Sequence, residues 1–401
     1  MPNSVTAKNV EANPYDFSLV LGGPLYQLMR RSRLSGGALE LMWRRVVAMT
    51  LLTWLPLFIL SFAEGKLWGS SVPVPFLYDV DVNVRFLIAL PLLVLAELMV
   101  HLRVRPVVGL FLSRELVTVT ARAKFDAAIA SAVRMRNSVA AEVVLLALVY
   151  GVGVIFIWRT HAALEVPNWY GTTVDGKWRP SLAGWWFGLV SLPFFQFLLL
   201  RWYFRIFIWA RLLWNISRLN LQLVPTHPDR CGGLGFLSDV CSAFAPLILA
   251  QGALLTGTIA NQIFFAGAKL LQFKIEILAV SAVVVVAVIG PLLSFAPLLN
   301  RVKRVGLREY GSFAQLYVSA FDRKWLRGGN SAGETLLGSG DIQSLADLNN
   351  SYDVIRTMKL VPFTRDGLIQ LVVLALLPVL PLTLTLISME DLMKQLLKVL
   401  F

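Results

Sequence analysis

Glu97 and His101 stand four residues apart in the apolar run LLVLAELMVHL (92–102), so on a helix they share one face. Glu142 lies in a second such run, AEVVLLALV (141–149). Carboxylates and an imidazole so placed can hold a proton or a cation inside a membrane. An ionisable side chain there costs about 2.5–3.5 kcal/mol at mid-depth and is rarely kept without a partner. Two readings follow. Glu97, His101 and Glu142 form a proton- or cation-handling cluster, or the two carboxylates pair with nearby Arg103, Arg134 or Arg136 and orient their helices. Ion pairing is the commoner fate.

The stretch 241–265 is polar for a lipid-facing helix, with Gln251, Thr256, Thr258, Asn261 and Gln262 beside Gly252 and Gly257. Gln251, Asn261 and Gln262 are candidates for lining a solute path, although hydrogen bonding between helices is the simpler role for an amide in this setting. Ala253 and Gly257 make a small-xxx-small pair, and Gly184 and Gly188 a GxxxG; both predict close helix packing. Prolines 91, 193, 246, 291, 297, 378 and 381 each remove a backbone donor and free a carbonyl. Pro378 and Pro381, with Thr383 and Thr385, mark the last apolar stretch as a candidate gate.

The segment HPDRCGGLGFL (227–237) resembles a phosphate cradle in its glycines, Gly232, Gly233 and Gly235, but has neither GxGxxG nor P-loop spacing and no Lys-Ser/Thr ending. His227, Asp229 and Cys231 fall short of a complete zinc set. A sharp turn is the expected structure, with Ser238 or Asp239 capping the next helix. Upstream, Arg201, Arg205, Arg211 and Arg218 do not keep one helical face, and aromatic residues interleave them. Arginines at headgroup level on a helix leaving the membrane are expected.

The elements that must position these groups are membrane helices. The chain is 57% hydrophobic and 15% charged, with mean hydropathy +0.67, more apolar than a soluble core can use. Seven stretches reach the roughly 20 residues needed to span hydrocarbon: 46–63, 84–102, 138–158, 182–202, 241–265, 274–299 and 367–388. Of the 37 Lys and Arg, 28 fall in 1–45, 102–137, 201–241 and 300–365, and 9 on the opposite side. That bias predicts an all-α polytopic bundle of seven spans with the N-terminus cytoplasmic and the C-terminus outside. The net charge of +13 is spread along the flanks of apolar runs; it suits anionic headgroups and argues against nucleic acid. Cys231 and Cys241 both fall on the cytoplasmic side, where a structural disulfide is not expected.

The chain divides into a cytoplasmic N-terminal segment (1–45), a six-span bundle with helical cytoplasmic loops (46–299), a cytoplasmic helical segment (300–366), and a last span with an amphipathic tail (367–401). Leu25, Leu28 and Met29 beside Arg30, Arg31 and Arg33 predict an interfacial helix. Phe125, Ala128, Ile129, Ala132 and Val133 predict one amphipathic helix, and Phe313, Leu316, Tyr317, Ala320 and Phe321 another, each turning an apolar stripe to the bundle or the membrane surface. Trp169 and Tyr170, ahead of Asp175-Gly176 and Trp178, fit either a small hairpin or the interfacial aromatic belt, and the belt is preferred. The first apolar run begins near Val46, too late for a cleavable signal peptide. The sequence carries no recognisable catalytic motif, cofactor fingerprint or metal set, so neither an enzyme nor a cofactor or metal is expected.

HPDRCGGLGFL at 227–237, DIQSLADLNNSY at 341–352, VPF at 361–363 and LPVLPL at 377–382 resemble a group of bacterial multi-pass inner-membrane proteins with no established activity. The resemblance spans most of the chain and implies that location, but transfers no substrate or site residue. A channel or transporter for a small solute or ion is the leading expectation. The alternative is a non-catalytic scaffold or regulator docking a partner or anionic lipid through its basic segments. A homo-oligomer fits either.

Overall fold

The computed structural model describes residues 17–24, 27, 42–69, 71–154, 168–174, 177–328 and 338–386. The interfacial helix expected around Leu28–Arg33, the Asp175-Gly176 tip, residues 329–337 and the tail from 387 lie outside them. Among the described residues, six helical stretches are long and apolar enough to cross a membrane, and one bent pair is a seventh candidate.

The first stretch, Met42–Ala63, comprises α1 (Met42–Thr53) and α2 (Leu55–Ala63), parted where Pro56 enters. The second runs through α3 (Val80–Val84), a π turn (Arg85–Ala89) and α4 (Leu90–Ser113). The bent pair follows: α5 (Arg122–Arg136) and α6 (Val139–Leu148) meet at 46° and lead into a π segment, Val149–Val154. After a hairpin of β1 (Gly171–Val174) and β2 (Lys177–Pro180) come α7 (Leu182–Trp186), another π turn (Phe187–Ser191) and α8 (Leu192–Ser217). Short α9 (Ser238–Cys241) precedes α10 (Ala245–Ala266). A 57-residue stretch holds α11 (Lys274–Ile289) and α12 (Ala296–Phe321); α13 (Gly340–Arg356) packs on α12. Finally α14 (Arg365–Leu376) leads into a 3-10 run, Leu377–Leu386, around Pro378 and Pro381.

Two of the four π segments among the described residues sit just before a proline near a helix start, Pro91 in α4 and Pro193 in α8. A proline offers no N–H to the carbonyl four residues back, and its ring crowds that carbonyl; a widened turn accommodates both. The Leu189 carbonyl, four residues before Pro193, instead accepts the Tyr150 hydroxyl at 3.2 Å. The bent pair is thereby tied to α8.

Backbone bonds show which ends meet. The Gln222 N–H donates to the Leu116 carbonyl at 2.8 Å and Val117 bridges Leu221, so the ends of α4 and α8 lie together. At the other extreme, the Trp169 N–H donates to the Val74 carbonyl at 3.1 Å, and the Ser181 N–H to that of Tyr170 at 3.0 Å. This places the starts of α3 and α7 together beside the hairpin. In sequence the α5–α6 pair follows the first end, here the basic end, and precedes the second, the hairpin end.

One expectation changes here. Gly171–Val174 and Lys177–Pro180 pair as antiparallel strands, with Gly171 opposite Pro180 and Val174 opposite Lys177, and Trp169 is fully buried instead of lying in an aromatic belt. Its ring is held by Phe76, Tyr170 and Phe187 at centroid distances of 5.0, 5.2 and 5.5 Å. The α5 stripe is buried as expected through Phe125, Ala128, Ile129 and Ala132. On α12 Phe313 and Leu316 face away from the bundle, 55% and 71% exposed, the other of the two placements expected for such a stripe. There it is Tyr317 that reaches α13, its hydroxyl donating to the Asp341 carbonyl at 3.2 Å.

Of the small-residue pairs, Gly257 packs closely on α3, where a Cβ would fall 3.0 Å from the Asp81 Cα, whereas Gly184 meets the hairpin edge and not a second helix. A Cβ on Gly184 would fall 1.9 Å from the Tyr170 carbonyl oxygen, and one on Gly252 would fall 2.5 Å from that of Ala375. Gly184→Ala must push α7 off the hairpin and is expected to cost about 1–3 kcal/mol, the usual range for overpacking. Thermal unfolding in detergent checks this; an unchanged midpoint would contradict the packing.

Candidate functional site

The charged groups of the bundle interior gather in two places. Near the basic end, Arg45 in the first turn of α1, Glu97 on α4, and Arg201 and Arg205 on α8 are all at most 5% exposed. Arg201 and Arg205 share a face because four residues separate them. Glu97 Oε1 accepts from Arg205 Nη1 at 2.8 Å and lies 3.8 Å from Arg201 Nη1, while Oε2 pairs with Arg45. Arg201 Nε reaches Glu142 Oε1 at 3.4 Å, so Glu142, placed by the Ser138 cap of α6, joins the cluster. The Arg205 guanidinium also lies over the Trp202 ring, 4.9 Å from its centroid.

The carboxylates are thus ion-paired, but by arginines other than those nearest in sequence. Arg103 donates to Ser242 Oγ at 2.7 Å, Arg136 donates to the Ser18 carbonyl, and Arg134 is exposed. Arg201 and Arg205 are not at headgroup level: the Glu97 carboxylate draws them into the bundle, and only Arg211 and Arg218 are exposed. His101 lies one turn from Glu97 but faces the N-terminal segment, its Nδ1 2.8 Å from Ser18 Oγ. That oxygen already accepts the N–H groups of Val20 and Leu21, so its own hydrogen goes to Nδ1.

This contact belongs to a seal. Phe17, Ser18, Leu19 and Val20 are buried, the Gly22 carbonyl accepts from Arg201 Nη2 at 3.2 Å, and the Gly23 N–H donates to Asn137 Oδ1 at 3.1 Å. Gly22 and Gly23 have φ of +151° and +88°, and a Cβ on Gly23 would fall 2.9 Å from Glu142 Oε1. Only glycine lets the backbone pass this close to the cluster.

At the hairpin end a second polar group forms around Asp79, the N-cap of α3. Its Oδ1 accepts from the Val82 N–H at 3.1 Å and Asn261 Nδ2 at 2.7 Å, and its Oδ2 from Trp169 Nε1 at 2.8 Å. Asn261 Oδ1 in turn accepts the Val80 N–H at 2.9 Å. Asp81 takes Arg85 at 2.6 Å and the Thr258 hydroxyl at 3.0 Å. Asn261 is thus a tie between α10 and the α3 start. Gln251 is buried beside the Tyr203 hydroxyl, whereas Gln262 is exposed. The six candidate polar residues therefore do not converge on one path: Glu97, His101 and Glu142 lie toward the basic end, Asn261 at the hairpin end.

The Gly-rich segment is a turn that supplies its own anion. Asp229 Oδ1 accepts the N–H groups of Cys231 at 2.7 Å and Gly233 at 3.1 Å, and Oδ2 that of Gly235 at 2.8 Å. The backbone nest that resembled a phosphate cradle is filled by a side chain, which His227 Nδ1 approaches to 2.9 Å. Gly232 and Gly233 take φ of +64° and +98°. The turn pins the α13–α14 connection: the Lys359 N–H donates to the Arg230 carbonyl at 2.7 Å, and the Cys231 thiol to that of Val361 at 3.7 Å. Neither Ser238 nor Asp239 caps the next helix; the Ser238 hydroxyl turns back to the Gly235 carbonyl. Among the described residues, no three His, Cys, Asp or Glu side chains are grouped to hold a metal ion.

Burial raises the Asp229 carboxyl, but the three N–H donors outweigh it and hold the group below its usual range. Burial, with Asp229 alongside, pushes the Cys231 thiol up to about 11, so it stays protonated near neutral pH. Because the folded state lowers the Asp229 pKa, its contribution is complete above the ordinary value of 3.8 and fades as pH falls through the folded value. Asp229→Ala is expected to cost about 1–3 kcal/mol by orphaning the nest donors. The deficit should shrink in acid; equal stability of variant and parent at neutral pH would rule out this role.

The fold and these clusters define a polytopic α-helical membrane protein. No family model, no curated protein and no solved structure matches the chain.

Proposed function

We propose that the chain is a seven-span channel or transporter for a small solute or ion in a bacterial inner membrane, with its N-terminus cytoplasmic, its C-terminus outside and no enzymatic activity. The observation that carries this reading is the Glu97 cluster. Five charged side chains packed among apolar helices cost more than anchoring requires, and intramembrane ionisable groups mark solute or ion paths by default. The π turns before Pro91 and Pro193 support it, since such turns recur at functional sites. In this conformation the Phe17–Gly23 segment covers the cluster from the basic side, as in a closed state.

Flux measured in proteoliposomes tests the proposal. Glu97→Gln is expected to abolish pH- or cation-dependent flux; unchanged flux would remove the cluster from the path. A C-terminal reporter found in the cytoplasm would refute the odd number of crossings. One observation favours a second reading: the α12–α13 arm leaves Phe313 and Leu316 exposed. Absent flux with a co-purifying partner, or binding to anionic vesicles, would favour a scaffold.

A further inference from the structure

We propose that the cavity among Arg45, Glu97, Arg201 and Arg205 binds one monatomic anion of halide size. The inference concerns the cluster invoked for transport and names the species it takes. Charge is the first argument. Among the described residues, Arg45, Arg201 and Arg205 face Glu97 and Glu142, three cations to two carboxylates. Arg136, reaching the Ser18 carbonyl beside them, adds a further positive charge. A net positive charge enclosed by Met49, Leu93, Val94, Leu198 and Trp202 is costly in such a low-dielectric setting, and a monoanion offsets one unit of it.

Unused donors are the second argument. Arg45 is 2% exposed, and two of its three guanidinium nitrogens, Nε and Nη1, have no hydrogen-bond partner among the described residues. Its third nitrogen, Nη2, holds Glu97. A buried guanidinium left with open donors loses the full desolvation penalty of those groups unless an acceptor sits there. Water would satisfy the donors but leave the charge.

Size is the third. The cavity measures about 10 Å³, which is close to the room needed by one water-sized sphere. A fluoride ion fits, and a chloride or bromide fits with a small give of the Met49 or Leu198 side chain. Phosphate, sulfate and carboxylate ligands are too large.

The test uses the purified full-length protein in chloride-free gluconate buffer, titrated with sodium fluoride, chloride, bromide or sulfate at constant ionic strength. A saturable, halide-specific rise in thermal midpoint is expected, with a change in Trp emission that Trp202→Phe removes. Sulfate should do neither. Arg45→Met should weaken apparent halide affinity by about tenfold or more, the loss of a charge-assisted bond, and Arg45→Lys by less. Should Arg45→Met fail to fold, the wild-type titration decides alone: no saturable halide-specific response overturns the proposal. So does a bromide-soaked crystal without an anomalous peak beside Arg45. Halide binding without any flux keeps this site and defeats the transport reading; flux from a protein whose thermal midpoint and Trp emission show no halide response does the reverse.

Discussion

Glu97→Leu is expected to destabilise the protein by about 3–5 kcal/mol, the cost of removing one partner from a buried ion pair. The reason is the company Glu97 keeps: Arg45, Arg201 and Arg205 all converge on its two oxygens, and the Glu142 carboxylate, which meets Arg201 through Nε, cannot serve the other two. Guanidinium groups do not escape by losing a proton, so the variant strands cations between helices. Guanidinium chloride unfolding in detergent, followed by circular dichroism, measures the loss. The companion variant Glu97→Leu with Arg45→Met and Arg205→Met should recover most of it, because well-packed apolar replacements of buried pairs are often neutral or stabilising. Recovery of stability without recovery of flux would separate what the cluster does from what it holds together. A loss under about 1 kcal/mol for Glu97→Leu alone would mean that solvent reaches the cluster.

Trp169→Ala should cost a similar amount, about 3–5 kcal/mol, as a large aromatic removed from a packed interior. Here the ring is only part of the effect. Trp169 also ties the hairpin to the α3 cap through Nε1–H and Asp79, and Asp79 in turn holds Asn261 of α10. Trp169→Phe keeps most of the ring and drops the donor, so it should cost only about 1–3 kcal/mol, the penalty for an orphaned acceptor. If Phe and Ala prove equally damaging, the hydrogen bond carries the effect and the ring packing does not.

Local patterns made the helices legible, and distance in sequence hid their partners. The apolar runs and flanking charges mark the spans without reference to anything else, and the α5 stripe reads correctly because a 3.6-residue period is a local property. Glu97 also declared its need for a cation. Which cation was hidden, since Arg45 lies 52 residues upstream and Arg205 108 downstream. The spacing of Arg201 and Arg205 was the available signal: two arginines one turn apart suit a shared acceptor as well as a headgroup layer. Three residues counted as flanking charge, Arg45, Arg201 and Arg205, lie inside the bundle. The role of Asp79 is only half visible in sequence: an Asp just before an apolar run is a capping signal, but its partners Trp169 and Asn261 are distant. Trp169 was misplaced because a tryptophan beside a span reads the same whether it faces headgroups or a hairpin.

The π turn at Arg85–Ala89 has a geometric consequence. It lies between Asp81 and Glu97 on one continuous helical stretch, and the surplus residue in a widened turn shifts everything beyond it by about 100° of azimuth relative to a regular helix. A helical wheel drawn straight through 80–113 therefore misstates the bearing of one polar cluster from the other. Angular phase here rests on chain length more than on residue type. Removing a single residue from the turn would leave the composition of the span almost unchanged, yet swing either Glu97 away from its arginines or Asp81 away from Thr258.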